Sequence, residues 1–152
     1  MLWVIIILFA IALDRVVKIW AVSSLAPIGE IPVIKGVFHL YYAENTGAAF
    51  SILRGQQKLF IVVTIVGLAV LVWIMFKRKD WHPLLMWAFS CIIGGGIGNL
   101  IDRIRLGYVV DYFYIKLINF PVFNIADLFV SAGAVLLFIY LLFIHKEEKS
   151  DE

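Results

Sequence analysis

The chain has 152 residues, 63% of them hydrophobic, a formal net charge of +2 and a mean hydropathy of +0.98. Soluble domains use about 45–50% apolar residues, so this composition excludes an ordinary soluble protein and points to a single membrane domain. The small net charge offers no basic patch for nucleic acid, the lone Cys91 excludes an intrachain disulfide, and His39, His82 and His145 lie too far apart for zinc-ligand spacing. No metal or other cofactor is expected.

Leu2 to Leu13 is unbroken apolar sequence, and the pattern resumes after Asp14 through Val16, Val17, Ile19, Trp20 and Ala21. That is enough helix to cross ~30 Å of hydrocarbon at ~1.5 Å per residue. A cationic segment ahead of the apolar run is missing, so a retained first helix is expected rather than a cleaved leader. From Val22 to Lys58 the chain changes character. Ile31, Val33 and Ile34, then Val37 to Tyr42, are β-branched and aromatic, with Pro27, Gly29, Pro32 and Gly36 as breaks. A small β-hairpin or sheet on the membrane surface is expected there.

Leu59 to Phe76, Pro83 to Ile101 and Leu128 to Ile144 are further uncharged runs. The link Lys77 to His82 is rich in positive charge, and the tail contributes Lys146 and Lys149, which the positive-inside rule assigns to the cytoplasm. The expected fold is thus a membrane all-α protein, one domain over 1–152. It has four transmembrane helices at about 2–21, 59–76, 83–101 and 126–144, extracytoplasmic segments at 22–58 and 104–123, and a disordered tail at 145–152. A small extracytoplasmic β-sheet and a short extracytoplasmic connection between helices 3 and 4 complete it.

Polar residues inside such segments need partners or tasks, because a charge stranded in hydrocarbon costs several kcal/mol. Asp14 and Lys18 are four apart on one helix face, and an ion pair is the simple reading. Asn45 and Gly47 belong to YYAENTGAAF, where Asn-Thr-Gly signals a turn, though a polar side chain there could also hold a substrate backbone. Gly94 and Gly98 make a small-residue step suited to close helix packing. Asn99, Asp102 and Arg103 follow. Asp102 fits a salt-bridge network with Arg103, Asp14 or Lys18 more simply than catalysis, while Asn99 and Arg103 share a face and could donate hydrogen bonds to a substrate carbonyl. Asn124 and Asp127 have the spacing of a helix N-cap and a favourable acidic N3 residue. Asp111 has no cation at helical spacing. If Asp111 and Asp127 met at the membrane edge they would share a proton, because like charges ~3 Å apart cannot both ionise.

Taken together, Asp14 with Lys18, ENTGAAF, GNLIDR at 98–103, VVD at 109–111 and FNIAD at 123–127 resemble the bacterial lipoprotein signal peptidases, also called signal peptidase II, over the whole chain and in order. The resemblance implies an aspartic endopeptidase of the cytoplasmic (inner) membrane, with both termini cytoplasmic and the active site toward the extracytoplasmic face. Its substrate would be a diacylglyceryl-modified prolipoprotein, cut on the N-terminal side of the lipidated cysteine. Asp111 and Asp127 would be catalytic; Asn45, Asn99, Arg103 and Asn124 would bind substrate; Asp14, Lys18, Asp102 and Gly47 would support the site. Membrane lipid and the inhibitor globomycin are implied ligands, and a monomer is expected. Two rivals stand beside this reading: a small transporter relaying protons through its aspartates, which would want them near the midplane, and a noncatalytic membrane scaffold.

Overall fold

A computed structural model describes residues 2–47, 55–77 and 81–144. The basic link beyond Lys77, through residue 79, and the tail from 145 onward lie outside the described residues, as do the small residues and Phe50 that follow Gly47. Helix α1 runs Leu2–Trp20 and ends in a π-helical turn, Ala21–Leu25. Strands β1 (Glu30–Ile34) and β2 (Phe38–Asn45) follow, then α2 (Gln57–Lys77) and α3 (Pro83–Leu106). Strand β3 (Val109–Ile115) and a short 3-10 turn, Lys116–Ile118, lead to α4 (Ile125–Ile139), which is extended by a second π-helical turn, Tyr140–Ile144. By length and composition, α2, α3 and the continuous stretch Ile125–Ile144 can each cross a membrane.

Helix α3 is the centre of the bundle, and the glycine run explains why. Gly94 lies against α1, where a Cβ would sit 2.7 Å from Ala10 Cβ. Gly95 lies against the Ala126 carbonyl of α4, and Gly96 against Leu68 of α2, at 2.9 Å from its Cδ2. Three successive positions on a helix point about 100° apart, so three consecutive glycines open α3 to three different neighbours. Gly133 of α4 repeats the device in reverse against the Ala88 carbonyl. Helix α2, by contrast, fully buries only Met75, packs Leu68, Leu71, Val72 and Ile74 partly against the core, and leaves most of its other apolar side chains exposed to lipid. His82 caps α3, its ring accepting from the Leu84 N–H at 3.2 Å, and Pro83 occupies the first helical position. At the other end Gly107, at φ +80°, turns the chain into β3.

The hairpin expected from Ile31 to Tyr42 is present, but it is two-thirds of a three-stranded antiparallel sheet ordered β1-β2-β3. The third strand, VVDYFYI, comes from the segment expected only as a connection, and α3 continues past Ile101 into that segment as far as Leu106. A small core of Ala21, Leu25, Val110 and Tyr112 welds the sheet to the end of α1. Phe123 then pairs with β3: its N–H donates to the Phe113 carbonyl at 3.0 Å and its carbonyl accepts from Phe113 N–H at 2.8 Å. This short bridge sets the start of α4 directly beside Asp111.

The β2–β3 register matters for what faces Asp111. Leu40 pairs with Phe113, yet Ala43 rather than Tyr42 pairs with Asp111, so β2 carries an extra residue between them. Without that bulge, strand alternation would bring Glu44 to the same face as Asp111 and place a third carboxylate there. With it, Asn45 takes that place.

The glycine packing yields a testable contrast. Gly95→Ala forces a Cβ into a backbone carbonyl that cannot move aside, and such overpacking costs about 1–3 kcal/mol. Gly67 of α2 has nothing within 4 Å of its missing Cβ. Thermal unfolding in detergent is expected to show a lowered midpoint for Gly95→Ala and none for Gly67→Ala.

Candidate active site

The site is built in two tiers. The lower tier is a charge cluster joining α1 to α3. Lys18 Nζ donates to Asp14 Oδ2 at 3.1 Å, to Asp102 Oδ2 at 2.9 Å and to Asn99 Oδ1 at 2.8 Å. Arg15 donates to Asp102 Oδ1 at 2.6 Å, to Asp14 Oδ2 at 2.8 Å and to the Gly98 carbonyl at 3.0 Å. Backbone N–H groups complete the carboxylates: the remaining oxygen of Asp14, Oδ1, accepts from Ala126 of α4 at 3.2 Å, and Asp102 Oδ2 accepts from Val110 of β3 at 3.1 Å in addition to Lys18. Two cations thus balance two buried carboxylates, as a low-dielectric setting demands. Asp14, Lys18 and Asp102 were expected as supports. Arg15 was not, although it bridges both aspartates. Its only sequence signal was a fourth charge within reach of a region where every charge needs a partner.

The upper tier is an amide and carboxylate lattice. Asp111 Oδ2 accepts from Asn45 Nδ2 at 2.9 Å and Oδ1 from Asn124 Nδ2 at 2.6 Å. Asp127 Oδ1 accepts from Asn99 Nδ2 at 2.7 Å. Asn124 and Asp127 also form the capping box of α4, with Asp127 N–H donating to Asn124 Oδ1 at 2.9 Å and Asn124 N–H to Asp127 Oδ2 at 3.1 Å. Tyr112, fully buried and not singled out in the sequence, accepts the next free amide of that helix, Ile125 N–H, at 3.1 Å.

Asn99 links the tiers, since its carbonyl oxygen takes Lys18 and its amide reaches Asp127. The lysine therefore fixes which way that amide points. Asn45 acts twice as well: its oxygen accepts from Gly47 N–H at 2.9 Å, closing the expected turn, and this leaves its NH2 for Asp111.

Above this lattice opens a cavity of about 460 Å³, lined by Asn45, Gly47, Asn99, Arg103, Asp111 and Asp127 on its polar wall and by residues such as Phe120, Val122 and Leu128 elsewhere. A second, more polar cavity of about 680 Å³ lies on the sheet side and shares Asn45 and Asp111 with the first. Asn124 departs from expectation. It is completely buried, it does not line the apolar cavity, and its amide N–H donors already serve Asn99 and Asp111, so it holds the carboxylates rather than facing the space above them. Arg103 does line the cavity. Its guanidinium stacks at 5.3 Å over the Phe60 ring of α2, and its Nε has no hydrogen-bond partner among the described residues, which leaves donors for a ligand.

Burial, followed by the charge of nearby Asp127, pushes the Asp111 carboxyl up to about 7, against the pull of the Asn45 and Asn124 donors. Two carboxyl groups in one cavity, one of them holding its proton toward neutrality, can supply an acid and a base together. Among the described residues no group of three or more His, Cys, Asp or Glu is placed to hold a metal ion.

Membrane helices carrying such a site define an aspartic peptidase of the membrane. Residues 6–143 match the family described as Signal peptidase (SPase) II, and the chain belongs to that family. It is 44% identical over 149 residues to a lipoprotein signal peptidase of Clostridioides difficile (strain 630), covering 98% of this chain and 100% of that one. It is 40% identical over 141 residues to the Streptococcus pyogenes serotype M1 lipoprotein signal peptidase, covering 92% of each. Two solved structures described as bacterial membrane enzymes superpose closely. One has a TM-score of 0.85 at 33% identity, covering 92% of this chain and 87% of that one; the other has 0.83 at 32%, covering 93% of each.

The raised Asp111 titration predicts a pH signature. A carboxyl whose folded pKa lies above its unfolded value favours folding at low pH, and that contribution is lost as pH climbs from about 4 to about 7. The difference in unfolding midpoint between wild type and Asp111→Asn should therefore shift in the mutant's favour across that interval and stay flat above it. The hydrogen bond lost to the asparagine is a constant offset. A difference that is level from pH 4 to 8 would remove the raised titration.

Proposed function

We propose that the protein cleaves the signal peptide from diacylglyceryl-modified prolipoproteins on the N-terminal side of the lipidated cysteine, using Asp111 and Asp127 as its catalytic pair. The observation that carries this reading is that β3 and α4 deliver two carboxylates to one cavity while the other buried carboxylates among the described residues, Asp14 and Asp102, are neutralised by Lys18 and Arg15. The relatives' name, lipoprotein signal peptidase, supplies the substrate class.

In the proposed reaction one carboxylate removes a proton from water as it attacks the scissile carbonyl, while the protonated partner gives its proton to the carbonyl oxygen; as the resulting diol collapses, the first group passes the proton it took from water to the leaving amine and the second recovers a proton from a diol hydroxyl. Asn45 and Asn124 hold Asp111; Asn99 and the backbone of Asn124 hold Asp127. Arg103 binds substrate. The mostly apolar cavity suits the lipid and signal-peptide side of the substrate, and the polar cavity across Asp111 suits the mature side. The same site would accept globomycin. A proton-relaying transporter would place its carboxylates near the midplane, whereas Asp111 stands on a strand outside the helices.

The proposed topology has four crossings with α1 as the fourth, its charges cancelled by the α3 network, in the bacterial inner membrane. Both termini are cytoplasmic and the sheet and catalytic pair extracytoplasmic. In intact cells, a cysteine placed at Lys35 should react with an impermeant thiol reagent, while one at Lys77 should not, each in a Cys91→Ala background. Outside labelling at position 77 would reverse the topology.

The catalytic assignment is tested by gel-shift processing of a lipidated precursor with purified protein. Asp111→Asn and Asp127→Asn are each expected to bind precursor and lose activity by at least 10³-fold, a scale typical of removing one member of a catalytic unit. The double mutant should be little worse than either single. Arg103→Ala should weaken binding of precursor or globomycin more than it slows turnover of bound substrate. Substantial cleavage by either purified Asn variant would falsify the aspartic assignment.

A further inference from the structure

We propose that the groove between the ends of α1 and α3 is a binding site for an anionic phospholipid, with Arg105 and Arg15 contacting its phosphate. A cavity of about 300 Å³ opens there, sharing no lining residue with the cavity of the carboxylate pair, and Ile19, Val22 and Leu106 are among its apolar walls. Lys18 and Asp102 are its buried floor. All three N–H bonds of the lysine ammonium are already used, on Asp14, Asp102 and Asn99. Arg15 is placed differently. It spends donors on Asp102, Asp14 and the Gly98 carbonyl and its Nε is buried, which leaves the second N–H of Nη1 for a ligand on a side chain that keeps 21% exposure.

The charges sort cleanly. Arg15 and Lys18 offset Asp14 and Asp102, so Arg105 is the uncompensated cation of the groove. It is exposed, and no carboxylate among the described residues lies within ion-pair distance of it. Depth fits as well. Helix α3 has 24 residues, a length of about 36 Å against ~30 Å of hydrocarbon, so its last turn, which holds Arg105, emerges at the level of phospholipid headgroups. On the stripe of α1 that carries Arg15 and Ile19, the exposed Leu8 and Ala12 lie deeper in the bilayer and match an acyl chain continuing below the phosphate, while Val22 and Leu106 flank the headgroup level. A free phosphate would satisfy the arginines and leave those walls bare. Arginine is suited to this contact because its planar donors match phosphate oxygens. The Ser23 hydroxyl at the rim can add a hydrogen bond to the headgroup.

The test uses the full-length protein in mixed micelles of neutral detergent with phosphatidylglycerol or phosphatidylcholine of identical acyl chains, read by native mass spectrometry. Wild type is expected to retain one phosphatidylglycerol in preference to phosphatidylcholine. Arg105→Gln should lower that retention about fivefold, the effect of one cation near a lipid phosphate, while Arg105→Lys keeps most of it and Lys35→Gln, in the turn between β1 and β2, leaves it unchanged. Because Arg105 is exposed and unpaired, Arg105→Gln should unfold at the wild-type temperature. Equal retention of the two lipids, undiminished retention in Arg105→Gln, or displacement of the lipid by inorganic phosphate at constant ionic strength would each overturn the proposal. The readout is lipid retention, so it stands apart from whether the carboxylate pair is catalytic.

Discussion

The buried ammonium of Lys18 is the point on which the structure converges. Its three hydrogen bonds reach Asp14 on its own helix and Asp102 and Asn99 on α3; those aspartates in turn hold the first turn of α4 through Ala126 N–H and the start of β3 through Val110 N–H. One cation therefore ties together the elements that carry Asp111 and Asp127. Breaking a buried pair by removing one partner typically costs about 3–5 kcal/mol, because a carboxylate is left uncompensated where water cannot reach it. Arg15 shares the load, and with it the cluster is electrically neutral, which lets α1 carry charges beside apolar neighbours.

Much of this was legible beforehand because a membrane makes polar residues conspicuous. The uncharged runs correspond to α2, α3 and α4, and the isolated Asp111 stood out because no nearby cation could answer it. Strand β3 was hidden for a physical reason: VVDYFYI pairs with a strand some seventy positions earlier, from Phe38 to Asn45, and such pairing leaves no local periodicity to detect. The bulge in β2 was invisible for the same reason, since register is a property of two strands and not of either. Arg15 escaped because side chains one apart on a helix do not ordinarily face each other, so its bond to Asp14 has no spacing signal, and its other partner Asp102 lies far along the chain. Tyr112 lay in a segment read only as a connection, and only the folded contact reveals its hydroxyl under the Ile125 amide.

Asn124 and Asp127 show that a modest reading and a functional one need not compete. Their spacing is that of a helix cap, and they do cap α4. The same two side chains belong to the lattice around Asp111, so the hydrogen bonds that start the helix also orient the carboxylates. Asn45 follows the same economy: turn formation uses its oxygen and frees its amide. Small polar side chains used at both ends let a short chain build a rigid lattice directly on the charge cluster of α1 and α3.

The capping box has one more consequence. Because Asn124 can support Asp111 only once the first turn of α4 is wound, a chain still emerging from the ribosome, or one whose last helix has not yet entered the bilayer, holds an incomplete lattice. On the proposed mechanism such a chain is inert. Biogenesis itself then serves as the safety catch, and a hydrolase that acts at the surface of its own membrane needs neither a propeptide nor an inhibitor to stay silent until it is finished.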